Sequence, residues 1–274
     1  MQTTLFVLID FSPASATLLE FARNWSRLLE ADIRLVHQVY GMAPVLTDAE
    51  SKLALLQAEQ QEAEYKLQEL IRSCELPRHK TTIAVTAGNL AGYLRQELQL
   101  FTGGIIVTGL KGTSPLKQLF IGSTPLKLIE EADQLVIAVP AHASTLPPHT
   151  LNVALHYKHP INQAAFAQLL EQLQPHVQTL NFFSVVTAND DAAATTACLE
   201  ETSQAYATRY HTSNYQFVGE QEQVFNEIKN YLQGREGYLV VQEGSRTLRD
   251  QLFRRFLIND LIYDGSLPLI VLPA

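Results

Sequence analysis

The chain has 274 residues, 46% of them apolar and 18% charged, and a formal net charge of −8. That length suits one large domain or two ordinary ones, and either buries a sufficient core without disulfide or metal staples. The negative balance argues against a general nucleic-acid binder, which needs basic surface to displace counterions from phosphates.

The first element predicted is a buried strand, Thr4-Leu5-Phe6-Val7-Leu8-Ile9. No basic segment or cleavage signal precedes it, and no apolar run approaches the roughly 20 residues that span a membrane. The expectation is a cytoplasmic protein with no membrane partner. Pro13–Leu29 follows as a helix, with Leu18, Leu19, Phe21, Ala22 and Trp25 on one face. Ile33–Val39 reads as a second strand. A long helix rich in Glu, Gln, Leu and Ala then runs from about Thr47 to Cys74, opened by a Thr47–Glu50 capping box. Thr81–Thr86, Ile105–Thr108 and Gln134–Val139 read as strands, with helices at Leu90–Leu100 and Thr124–Glu131 between them. Strands separated by helices pair in parallel through right-handed crossovers, which covers the sheet on both faces.

Small residues and prolines in Pro140-Ala-His-Ala-Ser-Thr-Leu-Pro-Pro148 mark a linker. The alternation then restarts. Strands are expected at Leu151–Leu155, Leu180–Val186, Tyr215–Val218, Tyr238–Val241 and Pro268–Leu272. The intervening helices fall at Pro160–Leu173, Ala192–Ala207, Gln221–Leu232 and Leu248–Ile262. Leu128–Pro140 aligns without a gap on Leu261–Pro273, and Gln118-Leu-Phe120 falls on Gln251-Leu-Phe253. Shared length, order and register favour an internal duplication. The predicted fold is α/β: two tandem, open, parallel five-stranded sheets with helices on both faces, as domains 1–142 and 149–274. Two distant cysteines, Cys74 and Cys198, supply neither a disulfide framework nor a zinc ligand set and are expected as small apolar fillers.

The fourth strand leads into Gly109-Leu-Lys-Gly112, and Gly122-Ser123 opens the next helix, giving G-x2-G-x9-G-S. Glycines after a parallel strand let backbone approach a phosphate chain. A helix start adds free N–H groups and a positive dipole end for an anion, with the Ser123 hydroxyl as a further donor. The carboxyl end of an open α/β sheet is where ligands bind. The final glycine is followed by Ser rather than Lys-Ser or Lys-Thr, so this is no Walker A loop.

With Asp10-Phe11-Ser12 after the first strand and His37 at the end of the second, the first half resembles the ATP-binding branch of the universal stress protein family, which carries this spacing. The resemblance extends weakly over the second half. It implies that Asp10 contacts the adenine or ribose end of ATP, AMP or ADP, with Mg²⁺ as an optional companion. It also implies that the backbone near Gln38 reads the adenine edge, and that Gly109, Gly112, Gly122, Ser123 and the adjoining Thr124 hold ribose and phosphates. His37 is read as structural. Single-domain relatives dimerise through their last strands, so the resemblance suggests an intrachain pseudo-dimer with Gln134–Val139 beside Pro268–Leu272, and leaves a homodimer open. In the second half Gln242, Ser245, Arg255 and Phe256 replace the glycines and serine, and His156 replaces Asp10. One nucleotide per chain is therefore expected. No metal-ligand cluster, nucleophile elbow or general base beside a nucleophile stands out. A binding and regulatory role is favoured over slow ATP hydrolysis or autophosphorylation, and over an interaction module with a vestigial site.

Overall fold

A computed structural model of the chain describes residues 3–41, 48–101, 103–110, 134–188, 190–219, 221–232, 235–242 and 267–274. The strands are β1 (Thr4–Leu8), β2 (Asp32–Val39), β3 (Thr81–Ala87), β4 (Gly104–Leu110), β5 (Val136–Pro140), β6 (Thr150–Ala154), β7 (Thr179–Val186), β8 (His211–Val218), β9 (Tyr238–Gln242) and β10 (Leu269–Leu272). The helices are α1 (Ser15–Leu29), α2 (Ala49–Ser73), α3 (Leu90–Leu98), α4 (Gln163–Gln172), α5 (Ala192–Tyr206) and α6 (Gln221–Leu232). The predicted helices at Thr124–Glu131 and Leu248–Ile262 lie outside the described residues.

Helix starts follow side-chain chemistry. Asp48, Asn89, Asn162 and Asp191 each place an oxygen on a free N–H of the first turn of α2, α3, α4 and α5. The α2 cap is thus Asp48, one residue after the Thr47 expected from the sequence. Both residues are cap-formers, and the carboxylate of Asp48 also complements the helix dipole. Strands β1, β5 and β10 are buried along nearly their whole length because helices cover both faces of the sheet.

All ten strands form one sheet in the order β3-β2-β1-β4-β5-β10-β9-β6-β7-β8. Each half has the same internal order, with its third strand outermost and its fifth at the middle. Pairing is parallel within each half, and β10 meets β5 antiparallel, with Ile270 opposite Ile137. The two expected five-stranded sheets are therefore continuous, and the last strands cover each other's edges. Helices α1, α2, α4 and α5 pack on one face, where Leu5, Trp25, Ile33, Phe166, Phe182 and Tyr238 belong to one core. Leu94 of α3 and Ile228 of α6 share the other core with Phe6, Phe183 and Leu239.

The proline-rich segment after β5 is a strap rather than a loose tether. Thr17 donates to Ala141 O (3.0 Å), Asn24 to Thr145 O (3.0 Å) and Tyr238 to Leu146 O (2.9 Å). Gly237, just before β9, has φ +114°, and a Cβ there would sit 2.3 Å from the backbone oxygen of Thr150. Gly237→Ala therefore combines a left-handed backbone with a collision that no rotamer relieves. It should cost about 3 kcal/mol, read as a lowered urea midpoint. A midpoint equal to wild type would mean that β9 does not enter the sheet as described.

Cys198 lies in α5, and Cys74 is the residue that ends α2; both are free and half-buried. Burial pushes the Cys198 thiol above its ordinary pKa, which disfavours the reactive thiolate. No helix among the described residues is long and apolar enough to cross a membrane.

Candidate functional site

In the first half the chain runs from β1 to β2 and β3 on one side, then returns to place β4 on the other side of β1. The topological switch point therefore lies between the carboxyl ends of β1 and β4, where an open α/β sheet has its ligand crevice. Leu8 pairs with Val36 on β2 and with Thr108 on β4. Asp10, His37, Gln38 and Gly109 thus come to the same edge of three neighbouring strands. Gly112, Gly122, Ser123 and Thr124 lie outside the described residues.

Asp10 is exposed and ordered by its own turn. Its Oδ1 accepts from Ser12 N (2.9 Å) and from the Ser15 hydroxyl (3.2 Å) at the start of α1. This Asx turn fixes one carboxylate oxygen at the mouth of the crevice. Phe11 follows with φ 57°, a left-handed conformation that costs a side-chain-bearing residue about 1–2 kcal/mol. Its ring packs on the His37 ring at a centroid distance of 4.4 Å, and the Lys66 ammonium of α2 lies 5.8 Å from its centroid. His37 Nδ1 is 2.7 Å from Ile9 O.

Gln38 is half-buried, and its side-chain amide donates to Gly88 O in the loop after β3. Its side chain is thereby committed to the scaffold. Gly109 pairs with Val139 on β5, one residue before the last pair of β4, Leu110 with Pro140. A Cβ there would meet only Leu18 Cδ2, at an ordinary 3.6 Å, and its φ is not left-handed. Among the described residues, neither a positive φ nor a close contact requires glycine at this position. A glycine here leaves room for close approach to the β4 backbone from the crevice.

Strand pairing tests the alignment of the halves. Val7 is level with Val107 on β4, and Val153 with Val240 on β9. Gly109 faces Val139, and Gln242 faces Leu272. Ile9 N donates to Val36 O and Leu155 N to Phe183 O, each at 2.8 Å. Asp10 therefore corresponds to His156, and Gly109 to Gln242, as the sequence alignment has it.

At the second crevice the chain's own polar groups converge. Gln242 accepts from Asn162 N and donates to Pro160 O (3.1 Å). Asn162 in turn donates to Pro273 O (3.4 Å) and Ala274 O (3.1 Å). His156 is buried and accepts from Lys158 N at Nδ1 (3.2 Å), which leaves its proton on Nε2, 3.6 Å from Asp190 Oδ1. Asp190 Oδ2 also accepts from Thr187 N (3.0 Å) and the Thr187 hydroxyl (2.7 Å). A carboxylate on a rim has become a buried His–Asp pair that knits two loops together.

Phe11, Ser15, Lys66 and Gly88 were not singled out from the sequence. The Asp-x-Ser spacing carries the signal for the turn at Asp10, whereas the contacts of Lys66 and Gly88 span long separations that no local pattern reports. No group of His, Cys, Asp or Glu among the described residues is arranged to hold a metal.

A family model described as the universal stress protein family matches residues 1–140. No curated protein matches the chain by sequence. Among solved structures, a universal stress protein from Archaeoglobus fulgidus DSM 4304 is similar with a TM-score of 0.67 at 13% identity, over 98% of this chain and 95% of that one. A putative universal stress protein from Pseudomonas aeruginosa UCBPP-PA14 has a TM-score of 0.53 at 14% identity, over 99% and 93%. The cytoplasmic domain of a prokaryotic cation chloride cotransporter has a TM-score of 0.53 at 12% identity, over 100% and 96%. At these identities the likeness is one of fold.

Proposed function

Because this chain belongs to the universal stress protein family, we propose that it is a cytoplasmic stress-response regulator whose first half, residues 1–142, binds ATP or a related adenine nucleotide. The observation that carries this reading is the convergence of Asp10, Gln38 and Gly109 on the β1/β4 switch point. Among the described residues, no contact or backbone angle demands the glycine there. Asp10 presents a fixed acceptor for the sugar or base, and the Gln38 backbone borders the adenine side. Gly109 opens the way to Gly112, Gly122, Ser123 and Thr124, whose N–H and hydroxyl donors would take the ribose and phosphates.

Residues 149–274 would serve as a fixed partner half, joined as a subunit would be in a dimer, and do not take a second nucleotide. The sequence offers no general base beside a nucleophile and no metal set is arranged among the described residues. In this reading the bound nucleotide acts as a signal or cargo rather than a rapidly consumed substrate. Mg²⁺, where it accompanies the nucleotide, would be held chiefly by the phosphates.

Mass spectrometry of small molecules released from freshly purified protein should find an adenine nucleotide, and phosphate release with added ATP should stay near background. Protein that carries no nucleotide and gives no calorimetric response to ATP, ADP or AMP would end the reading. Multiple turnover at an enzyme-like rate would replace regulation with catalysis.

A further inference from the structure

We infer that His37 is a positioning residue for the nucleotide site, an inference that rests on the reading above and extends it. Where β1 ends, Ile9 still donates its N–H to Val36 O on β2. Its carbonyl, the last group before Asp10, takes its partner from a side chain: His37 Nδ1 lies 2.7 Å away. A carbonyl only accepts, so Nδ1 carries the proton, and the tautomer is fixed. The same imidazole packs on Phe11, the residue after Asp10, at 4.4 Å between ring centroids. Asp10 is thus bracketed. The residue before it is clipped to His37 by a hydrogen bond, and the residue after it is held in its left-handed conformation against the same ring.

The second half supplies an internal comparison. Because Leu155 bonds to Phe183 as Ile9 does to Val36, the counterpart of His37 is Ser184. Ser184 is buried, and its hydroxyl has no hydrogen-bond partner among the described residues. The clip and the rim carboxylate occur together in one half and are both absent from the other, as expected if the first exists to set the second.

The test uses two amides of similar size in the full chain. An Asn amide nitrogen reproduces the position of imidazole Nδ1, and a Gln amide nitrogen that of Nε2, so only His37→Asn keeps the bond to Ile9 O. Both variants lose the ring against Phe11, so this shared loss cancels between them. Calorimetry with ATP should find His37→Asn within about threefold of wild type and His37→Gln weaker by about tenfold, with similar melting temperatures. Nitrogen-15 NMR of the nucleotide-free wild type should find the Nδ1–H tautomer. Equal affinities for the two variants, in a wild type that binds ATP, would overturn the positioning role alone, as would an Nε2–H tautomer. A wild type that binds no adenine nucleotide would overturn the nucleotide reading and this inference with it.

Discussion

Trp25→Ala should lower the unfolding free energy by about 4 kcal/mol, within the range for deleting a fully enclosed aromatic side chain. Trp25 is 0% exposed. It packs nearly parallel to Phe21 of its own helix (5.3 Å, 20°) and to Tyr238 of β9 (6.0 Å, 18°), which also meet each other at 6.1 Å. Its indole N–H reaches the Tyr238 hydroxyl at 3.4 Å, and that hydroxyl donates to Leu146 O in the strap. Helix α1 of the first half is therefore anchored to the central part of the second half through one aromatic stack. Burial pushes the Tyr238 phenol far above its ordinary pKa, so the group stays neutral wherever the protein is folded. Trp25→Phe keeps most of the apolar contact and should cost about 1–2 kcal/mol. Because Trp25 is the only tryptophan, its fluorescence reports this junction. Urea unfolding followed by tryptophan emission should coincide with unfolding followed by circular dichroism. An earlier fluorescence transition would show that the halves separate before they unfold. An alanine variant with unchanged stability would show that the stack contributes nothing.

How much of this was legible in the sequence differs by kind of residue. Strands flanked by helices on both faces announce themselves as apolar runs, so β1, β2 and β7 fall close to their expected limits. Strand β8 begins at His211 rather than near Tyr215, because its first half, His-Thr-Ser-Asn, is polar. It lies at the edge of the sheet, where most of its side chains face water, and the hydrophobic signal vanishes there. Helix α4 starts at Gln163 instead of Pro160 because Asn162 caps it while also bonding to the chain end. The strap looked like a linker because its composition stops regular structure, which is true. Its attachment to Thr17, Asn24 and Tyr238 depends on contacts far apart in sequence. The central β5–β10 pairing came from family resemblance, since nothing in either strand specifies an antiparallel partner.

The site divides the same way. Gly109 was readable from the glycine spacing after the fourth strand, whereas Asp10 and Gln38 came from the family resemblance. What holds them was not readable: the left-handed Phe11, the His37 clip and the tie from Gln38 to Gly88 are products of packing. Domain limits of 1–142 and 149–274 remain a proposal. Duplication is reinforced by the common strand order and by the level pairing of Val7 with Val107 and Val153 with Val240.

Titration of ATP should saturate at one equivalent per chain, and the site should be the one at Asp10. The physical contrast lies between two crevices of the same topology. At the first, Gly109 lies one residue before the end of β4, nothing among the described residues demands its missing side chain, and a carboxylate stands on the rim. At the second, Gln242 stands in the glycine's place with both ends of its amide bonded to the loop at Pro160–Asn162, and His156 turns inward to Asp190. A nucleotide entering there would have to break those bonds and find partners for the buried groups it freed, at about 1–3 kcal/mol for each one left unmet. Asp10→Ala combined with Gly109→Val should weaken ATP binding by more than about a hundredfold, since a rim acceptor is lost and a branched side chain enters the approach. Gly109→Ala is the control for folding, because its methyl lands at ordinary contact distance from Leu18. Gln242→Ala should change stability but leave the count at one. Two equivalents in wild type would show that both halves bind, and one surviving in the double variant would place the nucleotide in the second half; either result overturns the assignment.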